Sequence, residues 1–338
     1  MRETEKWQKR GKMAVARNNV KTSLYARTDF LPEQLTMSSK NKISEKSILR
    51  NGNSPNLNIH IIDGTKYSIA NTCAFDSFSQ VMMKLIRIEW VRDSIVHWES
   101  LYSKFLIRLS SKGITSNTYA ERATVILSTQ APKVAERKAD VMLVDCNTVA
   151  AELINPLLGK NGPIHEKTPC KNCEMSHKNI LGTITINADD LSKLDLIVDE
   201  MLQSKDEDCK LCSGKARTSF EIIENFIIID LCTMTDTRCE ESLSAIPTSL
   251  DLKRFGKKYS LEGFVRYQAD SIPSRPSTRK TAIPAKVNVL DMPLTGHYTA
   301  VLYHNNGCWT EINDNARKEK SFKEARFFPE VLIYSEIK

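Results

Sequence analysis

No stretch of this 338-residue sequence reaches the eighteen or more uninterrupted apolar positions that a membrane-spanning helix requires. Its first residues also carry charges where a secretory signal would place an apolar core. A protein of the cell interior, in the cytoplasm or the nucleus, is therefore expected. An even set of cysteines is lacking as well. Nine is an odd count, in a chain far longer than the small secreted scaffolds that disulfides hold together, so thiols, metal ligands and a nucleophile are expected instead. Nor does the body have an excess of positive charge. Residues 1–50 contain 12 Lys or Arg against 5 Asp or Glu, which leaves 36 of each sign for the rest, so the net charge of +7 resides in the tail. That balance disfavours nucleic acid as a partner of the body.

What is present begins with a 41% hydrophobic content, enough for a sizeable core. Residues 1–55 are rich in Lys, Arg, Ser and Asn without a sustained apolar period, which predicts a basic, disordered or loosely attached arm. The folded domain is expected over 56–338, opening with a short strand through Leu57, Ile59, Ile61 and Ile62 that closes at the Asp63-Gly64 turn. Next comes Asn71-Thr72-Cys73-Ala74-Phe75-Asp76-Ser77-Phe78-Ser79-Gln80. From Cys73 the apolar residues Phe75, Phe78, Val81, Met82, Leu85 and Ile86 recur at three- and four-residue steps, predicting a helix with one buried face, capped by Asn71 or Thr72. A thiol in a first turn faces unpaired N–H groups and the positive end of the helix dipole, which favour its thiolate.

A lone cysteine at a helix start is more often packing than chemistry. Gly296-His297-Tyr298-Thr299-Ala300, followed by Trp309-Thr310-Glu311-Ile312-Asn313-Asp314, changes that balance. A Cys on a helix, a His on a later strand and an Asn or Asp just beyond are the parts of a papain-like triad, distant in sequence and adjacent in the fold.

A second motif is the pair of C-x-x-C knuckles, Cys170-Lys171-Asn172-Cys173 and Cys209-Lys210-Leu211-Cys212. Four thiolates in two tight turns suit one tetrahedral Zn²⁺, and a site with four Cys ligands has no open position for water, so the metal is structural. His165 and His177 flank the first knuckle as weaker competitors. No organic cofactor is expected. Helical spacing over Arg92 to Ser110 and Thr118 to Thr129 predicts helices that pack on the cysteine helix, and Asn147 to Leu158 reads as a further helix that ends at Gly159. Cys146 is expected to be structural, and His97 to be a surface or core residue. Ile180 to Ile186 alternates like a strand, Leu191 to Leu202 reads as helix or strand, and Ser219 to Leu231 is a long β-rich run with an unalternating centre. Leu250 to Leu252 and Tyr259 to Tyr267 extend that sheet. A Pro-, Ser- and Arg-containing exposed loop interrupts it at 268–295, followed by a hairpin across His304 to Gly307 and a final strand through Phe327, Phe328 and Val331 to Tyr334.

The ordered set resembles the ubiquitin-specific proteases, papain-like deubiquitinating cysteine peptidases. Asn71-Thr72-Cys73 with Gln80 matches the family's cysteine box, and Gly296-His297-Tyr298, Ala300 and Trp309 match its histidine box. Between them Phe226 to Leu231, Pro247 with Leu250-Asp251-Leu252, and Tyr259-Ser260-Leu261 fall in the family's order, so the resemblance runs from about Lys66 to the C-terminus.

The resemblance implies an α+β papain-like fold with a helical lobe, a β-rich palm and zinc-ribbon fingers at 163–216. It also implies ubiquitin or ubiquitinated proteins as partners. Cys73 would form a thioester with the C-terminal glycine of ubiquitin, with His297 as base. Counting from Trp309 places the orienting residue at Asn313, with Asp314 in reserve. The family's oxyanion donor, an Asn five residues before the nucleophile, is replaced here by Ser68, and Asp76 stands where an amide is usual. These departures keep open a weak or silent ubiquitin binder, and a peptidase for a ubiquitin-like modifier, beside the active deubiquitinase.

Overall fold

The structure is a computed structural model that describes residues 48–54, 59–115, 117–129, 134–138, 140–173, 176–186, 191–209, 211–212, 214–231, 241–269, 296–316, 318–324 and 326–338. The expected arm up to residue 47, the inserted loop over 270–295, and Cys232 and Cys239 lie outside the described residues.

Helix α1 (Cys73–Leu85) forms where the apolar spacing predicts it, but burial is not confined to one face: every residue from Cys73 to Leu85 except Lys84 is buried. The physical reason is that the helix is packed from both sides. On one side lie α2 (Glu89–Val96), α3 (Leu101–Lys112), α4 (Thr118–Ser128) and α5 (Ala150–Leu158); on the other lies a large, mostly antiparallel sheet. Lys84 reaches that sheet, with Nζ 2.6 Å from Glu262 Oε2 and donating to the Glu262 carbonyl at 2.9 Å. The single helix expected from Arg92 to Ser110 is two. The chain breaks at His97–Ser100, where the Ser100 hydroxyl accepts the Ser103 N–H at 3.0 Å and starts α3 afresh.

A small sheet leads into α1. Its strands β1 (His60–Ile62), β2 (Thr65–Ala70), β3 (Val134–Lys138) and β4 (Val141–Asp145) lie in the order β1-β2-β4-β3, with β2 and β4 parallel and Ala70 opposite Asp145. Because β2 runs into α1 through Asn71 and Thr72 alone, this pairing fixes where the nucleophile helix starts. The expected domain start at residue 56 moves toward the N-terminus: Ile48, Leu49 and Asn51 are 7%, 0% and 0% exposed and belong to the folded body. Two adjacent apolar residues in a polar stretch give no period to read, yet both insert into the core around α1.

The fingers are a four-stranded sheet, order β6-β5-β9-β8, built from the hairpin β5 (Ile164–Pro169)/β6 (Ser176–Leu181) and a second hairpin reached only after an excursion. The chain first leaves through β7 (Ile184–Ile186) and α6 (Leu194–Met201), then returns as β8 (Lys205–Asp208) and β9 (Lys215–Ile222). The expected strand Ile180–Ile186 is therefore divided, and residues 184–186 and 191–202 of the expected 163–216 fingers pack in the palm, with Ile184, Ile186, Leu194 and Val198 beside Ile227 and Ile229. Gly182 makes the division possible. Its N–H donates to Asn155 Oδ1 at 2.8 Å, and a Cβ there would lie 2.6 Å from that oxygen.

The palm contains β7, β10 (Phe226–Leu231), β11 (Ser249–Leu252), β12 (Lys257–Ala269), β13 (Gly296–Tyr303), β14 (Trp309–Ile312), β15 (Lys320–Ser321) and β16 (Phe328–Glu336), in the order β15-β14-β13-β12-β16-β10-β7 with β11 on β12. Phe226, Ile227, Ile228 and Ile229 are fully buried, as their unalternating run predicts for a strand covered on both faces. The long Ser219–Leu231 run is split at Ile223–Asn225 between the fingers and this central strand.

Candidate active site

Cys73 is the first residue of α1 and is 8% exposed. The turn that delivers it is held from outside the helix. Thr72 occupies the N-cap position without capping; its hydroxyl accepts the Gly52 N–H at 2.8 Å and donates to Asp76 Oδ2 at 2.5 Å. Asn71 has a left-handed φ of 57°, a conformation that asparagine tolerates better than most residues. Its side chain donates to Asp145 Oδ1 at 2.8 Å and accepts from Asn53 Nδ2 at 2.6 Å.

His297 is the second residue of β13, opposite Gln268 on β12. At Gly296 before it a Cβ would lie 1.9 Å from the Tyr267 hydroxyl oxygen, so any larger residue there would have to displace the Tyr267 ring. The imidazole Nε2 sits 3.0 Å from Asn313 Oδ1 and 2.9 Å from Asp314 Oδ1, both just past the end of β14. The Cys73 sulfur is the other group that acts on this ring. A thiol at a helix N-terminus, an imidazole on the facing sheet and a polar group behind the imidazole are thus assembled from residues more than 200 positions apart. This is the arrangement expected of a papain-like fold. Burial favours the neutral imidazole, but the Asp314 carboxylate and the Cys73 sulfur outweigh it and hold His297 up to about 11. At neutral pH the imidazole of this site is therefore held as an imidazolium.

Both orienting candidates, Asn313 and Asp314, reach the ring. Asn315, which sequence reading missed, adds its Nδ2 at 3.4 Å from Nε2, and its own N–H donates to Asn313 Oδ1 at 2.8 Å. The only signal for it was a third polar residue in a row after Ile312. Ser68 lies within β2 opposite Leu143.

Beneath α1 sits a buried ion pair that the sequence also did not announce. Arg122 Nη1 on α4 donates to both Asp76 oxygens at 2.9 Å, and the two side chains are 1% and 0% exposed. Burial pushes the Asp76 carboxyl upward, which Arg122 opposes and the nearby Asp314 reinforces. Arg122→Met is expected to destabilise the chain by about 3–5 kcal/mol in urea unfolding, because it strands a buried carboxylate. Adding Asp76→Asn should recover most of that loss; a double variant no better than the single would refute the pairing as the cause.

At the hairpin tips of the fingers, Cys170, Cys173, Cys209 and Cys212 place their sulfurs within 4.8 Å of one another, with Cys170–Cys212 at 3.5 Å and Cys173–Cys209 at 3.8 Å. A tetrahedron of sulfurs at the usual Zn–S distance of about 2.3 Å has edges of about 3.8 Å, so this set fits a metal ion. The N–H groups of Cys173 and Asn172 hold the Cys170 thiol down to about 6, as suits a thiolate ligand. His165 and His177 are not in the cluster. The described cysteines form no disulfide, and among the described residues no helix is long and apolar enough to cross a membrane.

The sequence matches no protein-family model and no curated protein. Solved structures similar to this chain include the SAGA Ubp8/Sgf11/Sus1/Sgf73 DUB module, at 15% identity over 89% of this chain and 71% of that one, with a TM-score of 0.43. The same module bound to monoubiquitin matches at 15% identity over 89% and 72%, with a TM-score of 0.43. The MERS-CoV papain-like protease with human ubiquitin matches at 10% identity over 83% and 70%, with a TM-score of 0.39. Similarity at this level is a likeness of chain path, and the chemistry has to come from the site itself.

Proposed function

We propose that the chain is a thiol-dependent deubiquitinase. The observation that carries this reading is the convergence of Cys73, His297 and the Asn313-Asp314 pair in one buried cluster, with His297 held as an imidazolium. It is supported by the cysteine and histidine boxes and by the fingers, whose four cysteines would hold a structural Zn²⁺ at a distance from the thiol chemistry. Cys73 sulfur attacks the carbonyl carbon of the terminal glycine of ubiquitin, forming a C–S bond as negative charge collects on the oxygen, and the C–N bond to the amine beyond it then breaks. The backbone N–H of Cys73 meets that oxyanion, and Ser68 is the candidate for a second donor. His297 gives its proton to the departing amine, then takes one from the water that cleaves the thioester. Asn313 or Asp314 keeps the ring aimed.

Ubiquitin bearing a thiol-reactive electrophile at its C-terminus tests this directly. A covalent adduct with the intact chain and none with Cys73→Ala is the expected result. No adduct from folded, metal-loaded protein would defeat the reading, and retained ubiquitin affinity would then point to a silent binder. The departure at Ser68 is the feature that favours that second reading.

A further inference from the structure

Residues 50–53 run across both halves of the site. On the helical side, Arg122 Nη1 donates to the Arg50 carbonyl at 2.6 Å, and the Arg50 N–H donates to the Tyr119 hydroxyl at 3.3 Å. The Gly52 N–H reaches Thr72, next to the nucleophile, at 2.8 Å. Asn53 grips Asn71 twice: its Nδ2 donates to Asn71 Oδ1 at 2.6 Å, and its Oδ1 accepts the Asn71 N–H at 3.1 Å. On the sheet side, the Asn51 N–H reaches the Asp314 carbonyl at 3.4 Å. Gly52 passes so close to β2 that a Cβ would lie 2.1 Å from the Ile69 carbonyl oxygen. Asn51 is itself fully buried, so this is part of the folded body.

We propose that Arg50–Asn53 is a positioning strap, and that Asn53 is its key side chain, holding the left-handed Asn71 turn so that Cys73 and the Asp314 loop stay in register. A left-handed residue one position before an N-cap that does not cap its own helix has little local reason to persist. Here the grip is supplied from 18 residues upstream. Fixing that turn fixes the Cys73 thiol against His297, and the Asn51 bond ties the same segment to the group behind the ring. The strap acts through these residues and touches no substrate. The charged or titratable groups around the Cys73–His297 pair are Asp314 past β14, Asp76 on α1, Arg122 on α4, and Asp145 and Cys146 at the end of β4.

The proposal rests on the deubiquitinase reading for its role in turnover, but it is tested without ubiquitin as well. The full chain and its Asn53→Ala and Asn53→Asp variants are alkylated with iodoacetamide at pH 6 and pH 10, with Cys73 modification followed by mass spectrometry. At pH 6 the Asn53→Ala rate should fall about tenfold, the size expected from losing the two hydrogen bonds that hold the turn before Cys73. At pH 10, above the ordinary thiol value of about 8.5, wild type and variant should agree. Asn53→Asp keeps the acceptor for the Asn71 N–H and should recover part of the rate. On ubiquitin carrying a fluorogenic amine, kcat should fall with KM unchanged. An Asn53→Ala rate equal to wild type at pH 6, or a loss equal at both pH values and accompanied by a lower Tm, would overturn the strap. Wild-type protein that alkylates as expected yet never turns over the ubiquitin conjugate would defeat the deubiquitinase reading alone.

Discussion

Removing the imidazole with His297→Ala is expected to cut hydrolysis of a ubiquitin conjugate by about 10⁴-fold, the scale seen when one member of a nucleophile–base pair is lost. The finer result comes from the two groups behind the ring. Asp314 is the chief upward influence on His297, so Asp314→Asn should move the alkaline limb of the kcat/KM profile down from about 11 toward the ordinary histidine value of 6.5. Asn313→Ala keeps the carboxylate and should lower kcat without moving that limb. A pH profile measured from 6 to 11 separates the two, and an unmoved limb in Asp314→Asn would show that the carboxylate does not set the charge. The same shift couples to folding. His297 is held above its unfolded value, so its contribution to stability is complete below about 6.5 and fades as pH rises toward 11. Asp314→Asn should therefore flatten the alkaline fall in Tm.

Stripping metal from the fingers is expected to have the other large effect. Strand β8 is wholly exposed and β6 nearly so, and among the described residues the apolar cluster at the tips amounts to Cys170, Cys209 and Ala216 with Cys173 against it. So small a core cannot hold two hairpins together unaided, whereas structural zinc contributes about 10–16 kcal/mol of binding energy in small cysteine sites. Chelation should unfold these hairpins, seen as lost amide protection over 164–181 and 205–222. Iodoacetamide should still reach Cys73 at its former rate, because α1 and β13 have their own core. Labelling by the ubiquitin electrophile should fall. Full protection in metal-free protein, checked by elemental analysis, would sink the idea that the four cysteines form a structural metal site.

Much of the palm could be read from the sequence because its signals are local. Phe226 to Ile229 is apolar without alternation and is a strand covered on both faces; the His304–Gly307 turn joins two short runs and forms the hairpin that carries His297 and leads to Asn313. The places where expectation and structure part are those where the deciding contact is remote. Ile180–Ile186 reads as one strand, but Asn155 on another helix takes the Gly182 N–H and turns the chain into the palm. Arg92–Ser110 reads as one helix until Ser100 caps a second.

For the site, sequence alone determined the chemical types and their order: a thiol at a helix start, a strand histidine, polar residues after Trp309, and four cysteines in two knuckles. Spacing and residue type are properties of the chain itself. Tertiary structure decided which of those groups meet and what charge they carry. It set Asn313, Asp314 and Asn315 around one nitrogen, paired Asp76 with Arg122 beneath the nucleophile helix, and laid residues 50–53 against Asn71 and Thr72. None of these could be read locally, because a buried charge or a left-handed turn is stabilised by partners that only folding brings within hydrogen-bond reach.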